Sequence, residues 1–260
     1  MSKKLVLLAG PTASGKSNLA IKLAKKLNGE IINADSMQIF KEFTVLSSRP
    51  TLNQTKKVKH HLYGIITVKK HFSAGEWLKK VKIKINTCVK KKKIPIIVGG
   101  TGLYFNTITK GISKIPDIDL KTRNKVRNLY KKLGIKKFYN ALIKLDPKSK
   151  GRILPTDPQR IQRAYEVKLK TKKSLYEWFE KTKSDFLEFD IRKIFIEIPR
   201  DILLNKISMR TEQMFKKKCI NEVKKFNNLK VNKSFSANKL IGVQEINDYL
   251  KGLITLEQCK

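Results

Sequence analysis

The stretch that most constrains this chain is GPTASGKS, which lies between the apolar run LVLL and the amphipathic run NLAIKLAKKL. Its glycines, lysine and last serine satisfy the spacing G-x-x-x-x-G-K-[ST] of a phosphate-binding loop. In such a loop backbone N–H groups surround an anion, the lysine adds positive charge, and the serine hydroxyl can bind Mg²⁺. We therefore expect a phosphate or diphosphate to bind at Gly10, Pro11, Thr12, Ala13, Ser14, Gly15, Lys16 and Ser17.

The segments around this loop alternate between strand and helix patterns. KKLVLLAG, EIINADS and KKKIPIIVGGTG read as buried strands, KSNLAIKLAKKLNG as a helix, and Ser73 as the cap of a second helix that carries Trp77, Val81 and Ile85. This alternation favours a parallel sheet. The predicted fold class is α/β, a P-loop NTPase-like parallel sheet core with an inserted helical domain.

The insertion is predicted from a run of helical patterns between about Ile115 and Asp190. Strand character returns at Lys193 to Pro199, and the helix pattern RDILLNKISMRTEQMF follows it. We therefore expect a first part of the core at 1–115, an inserted helical domain at 116–190, and a return to the core at 191–260.

Charge indicates a polyanionic partner. The chain has 58 Lys plus Arg against 21 Asp plus Glu, a net charge of +37. A lysine-rich coding bias would explain much of this excess, but arginine is scarce, and Arg152, Arg160 and Arg163 nevertheless lie in one short segment.

Cysteine usage and apolar run lengths indicate the compartment. The three cysteines are far apart and in no paired spacing, which fits a reducing environment. No run of about 18 or more apolar residues occurs, so no membrane span is predicted. We expect a cytoplasmic protein.

The carboxylate that usually organises Mg²⁺ in an ATP-using enzyme is missing from the predicted strand IPIIVGGTG, which ends in glycines and Thr101. Asp35 instead follows the strand EIIN, where the carboxyl end of a parallel strand borders the ligand crevice. From its position alone, Asp35 is a metal-organising residue, a base or a structural residue.

Five segments together resemble the bacterial tRNA dimethylallyltransferases, which prenylate N6 of adenosine 37 beside the anticodon. They are GPTASGKS, EIINADSMQIF, KHHLYG, IPIIVGGTGLYF and LPTDPQRIQRAYEV, and the resemblance extends from Lys4 to about Glu257. In that family the loop holds the diphosphate of dimethylallyl diphosphate, although such sequences are often described as nucleotide-binding or ATP-binding. The resemblance implies Mg²⁺ as cofactor, with Ser17 as a ligand, and a monomeric enzyme.

The resemblance also implies roles for individual residues. Asp35 would be the base that takes the proton from N6, Thr101 would bind the substrate or orient that base, and Arg210 would help to hold the diphosphate. Contacts with tRNA would come from Asp35, Ser36, Met37, Gln38, Thr101, Arg123, Gln159, Arg160, Ile161, Gln162 and Arg163. Independently of the resemblance, Asp157 and Pro158 are suited to begin a helix that places Gln159, Arg160 and Arg163 on one side.

Three features depart from the family or remain open. Val243 stands where the family has Tyr, LSSRP replaces GTAKP, and the family's basic C-terminal helix does not follow. We therefore expect a short gene or a truncated sequence, with weaker tRNA binding or activity.

His60 and His61 have no second cluster of His, Cys or acid in the sequence, so we expect them to close the site or satisfy backbone groups rather than to bind metal. The alternatives are an adenylate isopentenyltransferase, a small-molecule kinase and a non-catalytic RNA-binding protein.

Overall fold

The first of two compact units contains the sheet. The computed structural model describes residues 3–233 and 235–260, and it separates the residues up to Ile108 together with Phe186–Lys260 from a second unit, Thr109–Asp185. The strands are β1 (Lys3–Ala9), β2 (Gly29–Asn33), β3 (His60–His61), β4 (Ile94–Gly99) and β5 (Phe189–Phe195). They pair in the order β3-β2-β4-β1-β5, and every pairing is parallel. The predicted parallel α/β fold is confirmed.

The described helices are α1 (Lys16–Lys26), α2 (Leu52–Lys57), α3 (Ala74–Lys90), α4 (Gly102–Thr109), α5 (Leu120–Leu145), α6 (Pro158–Thr171), α7 (Leu175–Glu180), α8 (Arg200–Lys216), α9 (Cys219–Asn228), α10 (Val243–Leu250) and α11 (Leu256–Cys259). They include the predicted α1, α3 and α8, several helices in the predicted insertion, and further helices that the sequence analysis did not assign. Among the described helices, none is both long and apolar enough to cross a membrane.

The start of α3 shows why local sequence predicts this helix well. The Ser73 hydroxyl accepts a hydrogen bond from Glu76 N at 3.2 Å, and the Glu76 carboxylate accepts one from Ser73 N at 2.7 Å. This reciprocal pair satisfies N–H groups that would otherwise lack partners. The apolar side of α3 is buried, and Trp77 packs its ring parallel to Tyr104 with centroids 4.2 Å apart. The helix therefore lies against the sheet by its predicted face.

Two apolar clusters account for the stability of the sheet. One contains Ala20, Ala24 and Ile31 with neighbouring β1 and β4 residues; the other contains Trp77, Ile85 and residues of the later helices. Because burial of a large apolar side chain contributes about 1.5–3 kcal/mol, these clusters hold the strand ends in place. The loops that form the site leave from these packed strand ends.

The second unit is helical and has its own apolar core, which includes Val126, Phe138 and Leu142. Gly134 has φ 69° and ψ 172°, so α5 is two helices that meet at this glycine. The Asp157 carboxylate accepts a hydrogen bond from Arg160 N at 3.0 Å and caps α6, where Pro158 is the first residue. The predicted start of this helix is confirmed.

One strand and one strand boundary differ from the prediction. The short strand β3 was not predicted, because two residues carry no periodicity. Strand β5 begins at Phe189, before the predicted Lys193, so the expected domain boundary at 190 lies inside a strand. Burial alternates only weakly along β5, because β5 lies at the edge of the sheet. The alternation of apolar and polar residues that marks a strand is therefore weak in its sequence.

Candidate active site

Three loops meet at the carboxyl edge of the sheet. Ala9 pairs with Gly99 and Asn33 with Val98, so the chain leaves β1, β2 and β4 side by side. The Thr101 N–H donates to Ala34 O at 3.2 Å, and a Cβ placed on Gly99 would lie 2.2 Å from the Ala34 carbonyl carbon. The absence of a side chain at Gly99 therefore allows the segments that carry Asp35 and Thr101 to touch.

The phosphate loop, residues 10–17, leads from β1 into the first turn of α1. Gly15 caps α1 with φ 84°, a left-handed conformation that favours glycine. Lys16 Nζ donates to Gly10 O at 2.8 Å, to Pro11 O, and to Ser14 Oγ at 3.4 Å. The ammonium is thus held across the loop, next to the N–H groups of the helix N-terminus that attract anions.

Charged groups from three distant parts of the chain converge on this loop. Burial lowers the pKa of Lys16; the charge of Asp35 opposes this shift, and the charge of Arg210 adds to it. Burial also lowers the pKa of Arg210, and Asp35 again opposes the shift. Lys16, Asp35 and Arg210 therefore act on one another electrostatically, which gives the site two cations for an anion and one carboxylate.

The Asp35 side chain is held by its own loop. Its Oδ1 accepts hydrogen bonds from Met37 N at 2.8 Å and Gln38 N at 3.4 Å. Its backbone N–H donates to Asn33 Oδ1 at 2.8 Å, while Asn33 Nδ2 donates to Asp35 O at 2.9 Å and to Leu62 O at 3.1 Å. The bonds that orient the carboxylate thus use Oδ1 and leave Oδ2 for a proton from outside.

Asn33 is a residue that our sequence analysis missed. It is fully buried, and its amide group fixes the Asp35 backbone on both sides. The signal was present in the sequence, because an asparagine at the end of an otherwise apolar strand needs hydrogen-bond partners when it is buried.

Thr101 orients the same loop rather than reaching outward. Its Oγ1 accepts a hydrogen bond from Ser36 N at 3.0 Å and donates to Ser36 Oγ at 3.3 Å. Of the two expectations for Thr101, this geometry favours orientation of the segment that carries the base.

Gln38 has one of its two polar groups engaged. Its Nε2 donates to Ser47 O at 2.9 Å and to Ser48 O at 3.1 Å, which uses both amide hydrogens. The sequence suggested both a donor and an acceptor for a base edge, but only the acceptor Oε1 is left for one. The Ser47 hydroxyl donates to Phe43 O at 2.7 Å, so the hydroxyl retained in LSSRP holds the turn.

The remaining sequence-predicted tRNA contacts lie in the second unit. Arg123 and Arg163 interact, since the charge of Arg123 adds to the burial that lowers the pKa of Arg163. Among the described side chains, Arg123 Nε is buried and has no hydrogen-bond partner. Gln159 and Arg160 are exposed. Arg163 Nη1 also lies 3.8 Å from Glu166 Oε2, so its charge is partly balanced, whereas the Arg123 Nε–H has no acceptor among the described residues.

Ile161 does not fit the predicted contact segment. It is fully buried in the core of the helical unit, so its side chain packs α6 and is out of reach of RNA. Its neighbour Gln162 is partly exposed. The helical period explains the difference, because successive residues of α6 face different directions.

The structure gives His61 two partners that the sequence did not reveal. His60 Nδ1 lies 2.7 Å from Val58 O, which satisfies a backbone group as expected, but His61 is joined by Glu30 and Cys88 in a buried cluster. His61 Nε2 is 2.5 Å from Glu30 Oε2, and Cys88 Sγ is 3.7 Å from that oxygen. Two ligands of one tetrahedral Zn²⁺ stand about 3.3 Å apart at normal bond lengths. The geometry is therefore that of hydrogen bonds.

A pocket of about 520 Å³ adjoins the phosphate loop. Gly10, Pro11 and Gly100 form one part of its lining. The other part is Phe195, the last residue of β5, and the three residues that follow it, Ile196, Glu197 and Ile198. Apart from the Glu197 carboxylate, this part offers apolar surface beside the phosphate loop.

Comparisons with known proteins identify the family of this chain. The IPP transferase family profile matches residues 38–260. The tRNA dimethylallyltransferase of Pelagibacter ubique is 52% identical over 257 residues, which cover 99% of this chain and 82% of that protein. The Rickettsia massiliae enzyme of the same name is 38% identical, over 98% of this chain and 71% of its own length.

Solved structures agree as well. A eukaryotic dimethylallyltransferase acting on tRNA superposes with a TM-score of 0.85 at 28% identity, over 99% of this chain and 65% of that one. The tRNA isopentenylpyrophosphate transferase of Bacillus halodurans superposes with a TM-score of 0.67 at 30% identity, over 99% of this chain and 80% of that one. With the phosphate loop, the ADSMQ segment and the parallel sheet all in place, this chain belongs to the IPP transferase family.

Proposed function

We propose that this protein transfers the dimethylallyl group of dimethylallyl diphosphate to N6 of adenosine 37 in tRNA and releases diphosphate. The observation that carries the proposal is the convergence of Lys16, Arg210 and Asp35 at the carboxyl edge of the sheet. Two cations suit a diphosphate leaving group, and one carboxylate suits an amine that must lose a proton.

The donor would bind by its diphosphate at the phosphate loop. Backbone N–H groups of residues 10–17 and the N-terminus of α1 would surround it, with Lys16 and Arg210 adjacent. As the allylic C–O bond breaks, negative charge accumulates on the departing diphosphate, and these fixed groups stabilise it. The pocket lined by Phe195, Ile196 and Ile198 is apolar enough to lie against the prenyl chain.

Asp35 would act as the base. The exocyclic amine of adenine is a weak nucleophile because its lone pair is delocalised into the ring. As the new C–N bond forms, the N6 proton passes to Oδ2 of Asp35, while Oδ1 stays bound to Met37 N and Gln38 N. Thr101 and Asn33 keep the loop in place through Ser36 and the Asp35 backbone. Gln38 Oε1 would accept a hydrogen bond from a base.

The phosphate loop fits Mg²⁺. Ser17 is exposed in the first turn of α1 and offers a hydroxyl oxygen, the kind of ligand that Mg²⁺ takes together with substrate phosphates and water. Ser17 would hold the ion, and Mg²⁺ supplies charge neutralisation of the diphosphate when it is bound.

The acceptor would be held by cationic groups of the second unit. Arg123 and Arg163, with exposed Gln159 and Arg160 on α6, would contact the phosphates or bases of the anticodon stem-loop. The net charge of +37 would draw the polyanion towards the protein. We also propose a monomer that works in the cytoplasm, in agreement with three free cysteines.

The experiment that tests the proposal uses labelled dimethylallyl diphosphate, Mg²⁺, and three acceptors in separate reactions: unmodified tRNA, AMP and ATP. We expect label on tRNA at adenosine 37 only. Label on AMP or ATP would refute the proposal in favour of an adenylate isopentenyltransferase, and tRNA binding without transfer would refute it in favour of an RNA-binding protein.

The Asp35→Asn variant tests the assigned base. We expect kcat to fall by about 10²–10⁴-fold, the usual contribution of a general base. The Kd for dimethylallyl diphosphate should stay the same or fall, because the charge that opposes Lys16 and Arg210 is removed. Loss of donor binding in Asp35→Asn would instead give Asp35 a role at the diphosphate. Glu257→Gln, a change at an exposed carboxylate, is the matched control.

A further inference from the structure

A single glutamate on α9 binds four donors of one turn near Gln38. The turn comprises residues 44–48 and is called here the 44–48 turn. Glu222 Oε1 accepts hydrogen bonds from Thr44 N at 2.6 Å, Thr44 Oγ1 at 2.9 Å and Val45 N at 3.0 Å. Glu222 Oε2 accepts one from Leu46 N at 2.9 Å. Hydrogen bonds to a charged acceptor are about twice as strong as neutral ones, so this carboxylate dominates the conformation of the turn.

The far side of the same turn holds the Gln38 amide. Ser47 O and Ser48 O, the next two carbonyls along the chain, accept both hydrogens of Gln38 Nε2. Ser48 has φ 49°, a conformation that a serine adopts at a cost, and its N–H donates to Val45 O at 2.9 Å. The directions in which the Ser47 and Ser48 carbonyl groups point therefore depend on the conformation of the turn that Glu222 binds.

Arg49 couples the turn to the rest of the Gln38 loop. Its Nη1 donates to Phe40 O at 3.2 Å, and burial lowers its pKa while the charge of Glu222 opposes that shift. The guanidinium lies against Gly64, where a Cβ would be 1.6 Å from Nη1, and Gly64 N donates to Gln38 O at 3.0 Å. Side chain and backbone of Gln38 are thus both connected to the turn.

We infer that Glu222 is a positioning residue for tRNA: it fixes the 44–48 turn, and through Ser47 and Ser48 it aims Gln38 Oε1 at the acceptor base. This inference rests on the proposed function, because it requires that Gln38 meets the acceptor. It does not involve the phosphate loop, so donor binding is independent of Glu222.

A positioning role for Glu222 and a simple effect of its charge predict opposite changes in tRNA binding. Removal of a carboxylate makes a cationic protein still more cationic, and that change by itself strengthens tRNA binding. If Glu222 positions Gln38, its removal weakens tRNA binding. The two effects have opposite signs.

The test compares Glu222→Gln, Thr44→Val and the control Glu257→Gln in the full chain. Kd for a fluorescent anticodon stem-loop is measured by anisotropy, and KM and kcat are measured for both substrates. In Glu222→Gln the amide oxygen can keep the three bonds that Oε1 makes, but the NH₂ group then faces the Leu46 N–H, which is also a donor. We therefore expect Kd and KM for tRNA to rise on the order of tenfold. The KM for dimethylallyl diphosphate stays within error, the melting temperature falls by a few degrees because one donor of the turn loses its acceptor, and Thr44→Val gives a smaller rise in Kd and KM for tRNA.

A double-mutant cycle with Gln38→Ala tests whether the effect passes through Gln38. In the Gln38→Ala background, Glu222→Gln is expected to change Kd for the stem-loop less than twofold, since there is no amide left to aim. Additive effects, an unchanged or lower Kd in Glu222→Gln, or equal losses for both substrates with a lower melting temperature would each overturn the inference. If the parent protein binds the stem-loop but transfers no prenyl group, the proposed activity fails while the Kd comparison still decides on Glu222.

Discussion

Gly99→Ala is the change for which the structure makes the sharpest prediction. A Cβ at Gly99 would lie 2.2 Å from both the carbonyl carbon and oxygen of Ala34 and 2.8 Å from Asp35 N. Because non-bonded carbon atoms settle at about 3.5–4 Å, β2 and β4 must separate there by about 1 Å or more. The atoms in the way belong to backbone, which cannot rotate aside as a side chain does.

The expected cost follows from this overlap. Extra methyl groups in a well-packed interior destabilise by about 1–3 kcal/mol, and a clash with backbone places Gly99→Ala near the upper value. About 3 kcal/mol corresponds to a melting temperature lower by roughly 6–12 °C for a protein of this size. The separation also acts on the bonds from Ala34 N to Val98 O, 2.7 Å, and from Thr101 N to Ala34 O, 3.2 Å, which hold the Asp35 loop beside Thr101. A displacement of about 1 Å at a reacting group costs about 10²-fold in kcat.

Calorimetry and steady-state prenyl transfer measure the two effects. Gly102→Ala is the matched control, because a Cβ there has no atom within 4 Å and the residue begins helix α4. We expect the control to melt and turn over like the parent protein. Gly99→Ala with an unchanged melting temperature and unchanged kcat would refute the argument that this glycine permits the close approach of the two strands.

Three further predictions concern charge. Arg163→Ala should weaken tRNA binding and reduce the slope of log Kd against log salt by about one unit, whereas Arg192→Ala, an exposed edge-strand residue, should change both less. Burial raises the pKa of the Glu30 carboxyl, but the hydrogen bond and charge of His61, the charge of Lys59 and the hydrogen bond from Cys88 together lower it by more, so this pKa lies below its ordinary value. The Glu30 carboxylate therefore stabilises the fold above about pH 4.3, and this stabilisation is lost as the pH falls further. In Glu30→Gln, the melting temperature should depend less on pH between about pH 5 and 3. Burial and the Glu30 carboxylate raise the pKa of the Cys88 thiol to about 12, so iodoacetamide should label Cys88 at pH 8 only after unfolding.

The elements that sequence predicted well are those whose contacts are local. The phosphate loop is one continuous stretch, and the bonds of Lys16 to Gly10 O and Pro11 O lie within it. The caps at Ser73 and Asp157 each bond a residue three positions on. Spacing along the chain determines such contacts, and so the loop, the helix starts and the alternation of strand and helix could be predicted.

Other features depend on residues that are distant in sequence. Burial of Ile161 follows from the way α6 packs in the helical unit, and the partnership of Glu30 with Cys88 follows from the contact of β2 with α3. No periodicity marks such pairs, because each partner taken alone reads as an ordinary charged or apolar residue. The family resemblance pointed to Arg210, but only the fold places its charge near Asp35 and Lys16.

The amino-acid sequence by itself determined that this protein has a phosphate loop in a parallel α/β core, an aspartate after the second strand, and an excess of positive charge. Tertiary structure alone decided that Asn33 and Thr101 hold the Asp35 loop, that Gln38 keeps only its acceptor free, and that Glu222 binds the 44–48 turn. The physical reason is that a hydrogen bond between neighbours in the chain needs only the right spacing. A bond between distant residues needs the strand order and the packing of the whole core, which arise from many weak contacts acting together.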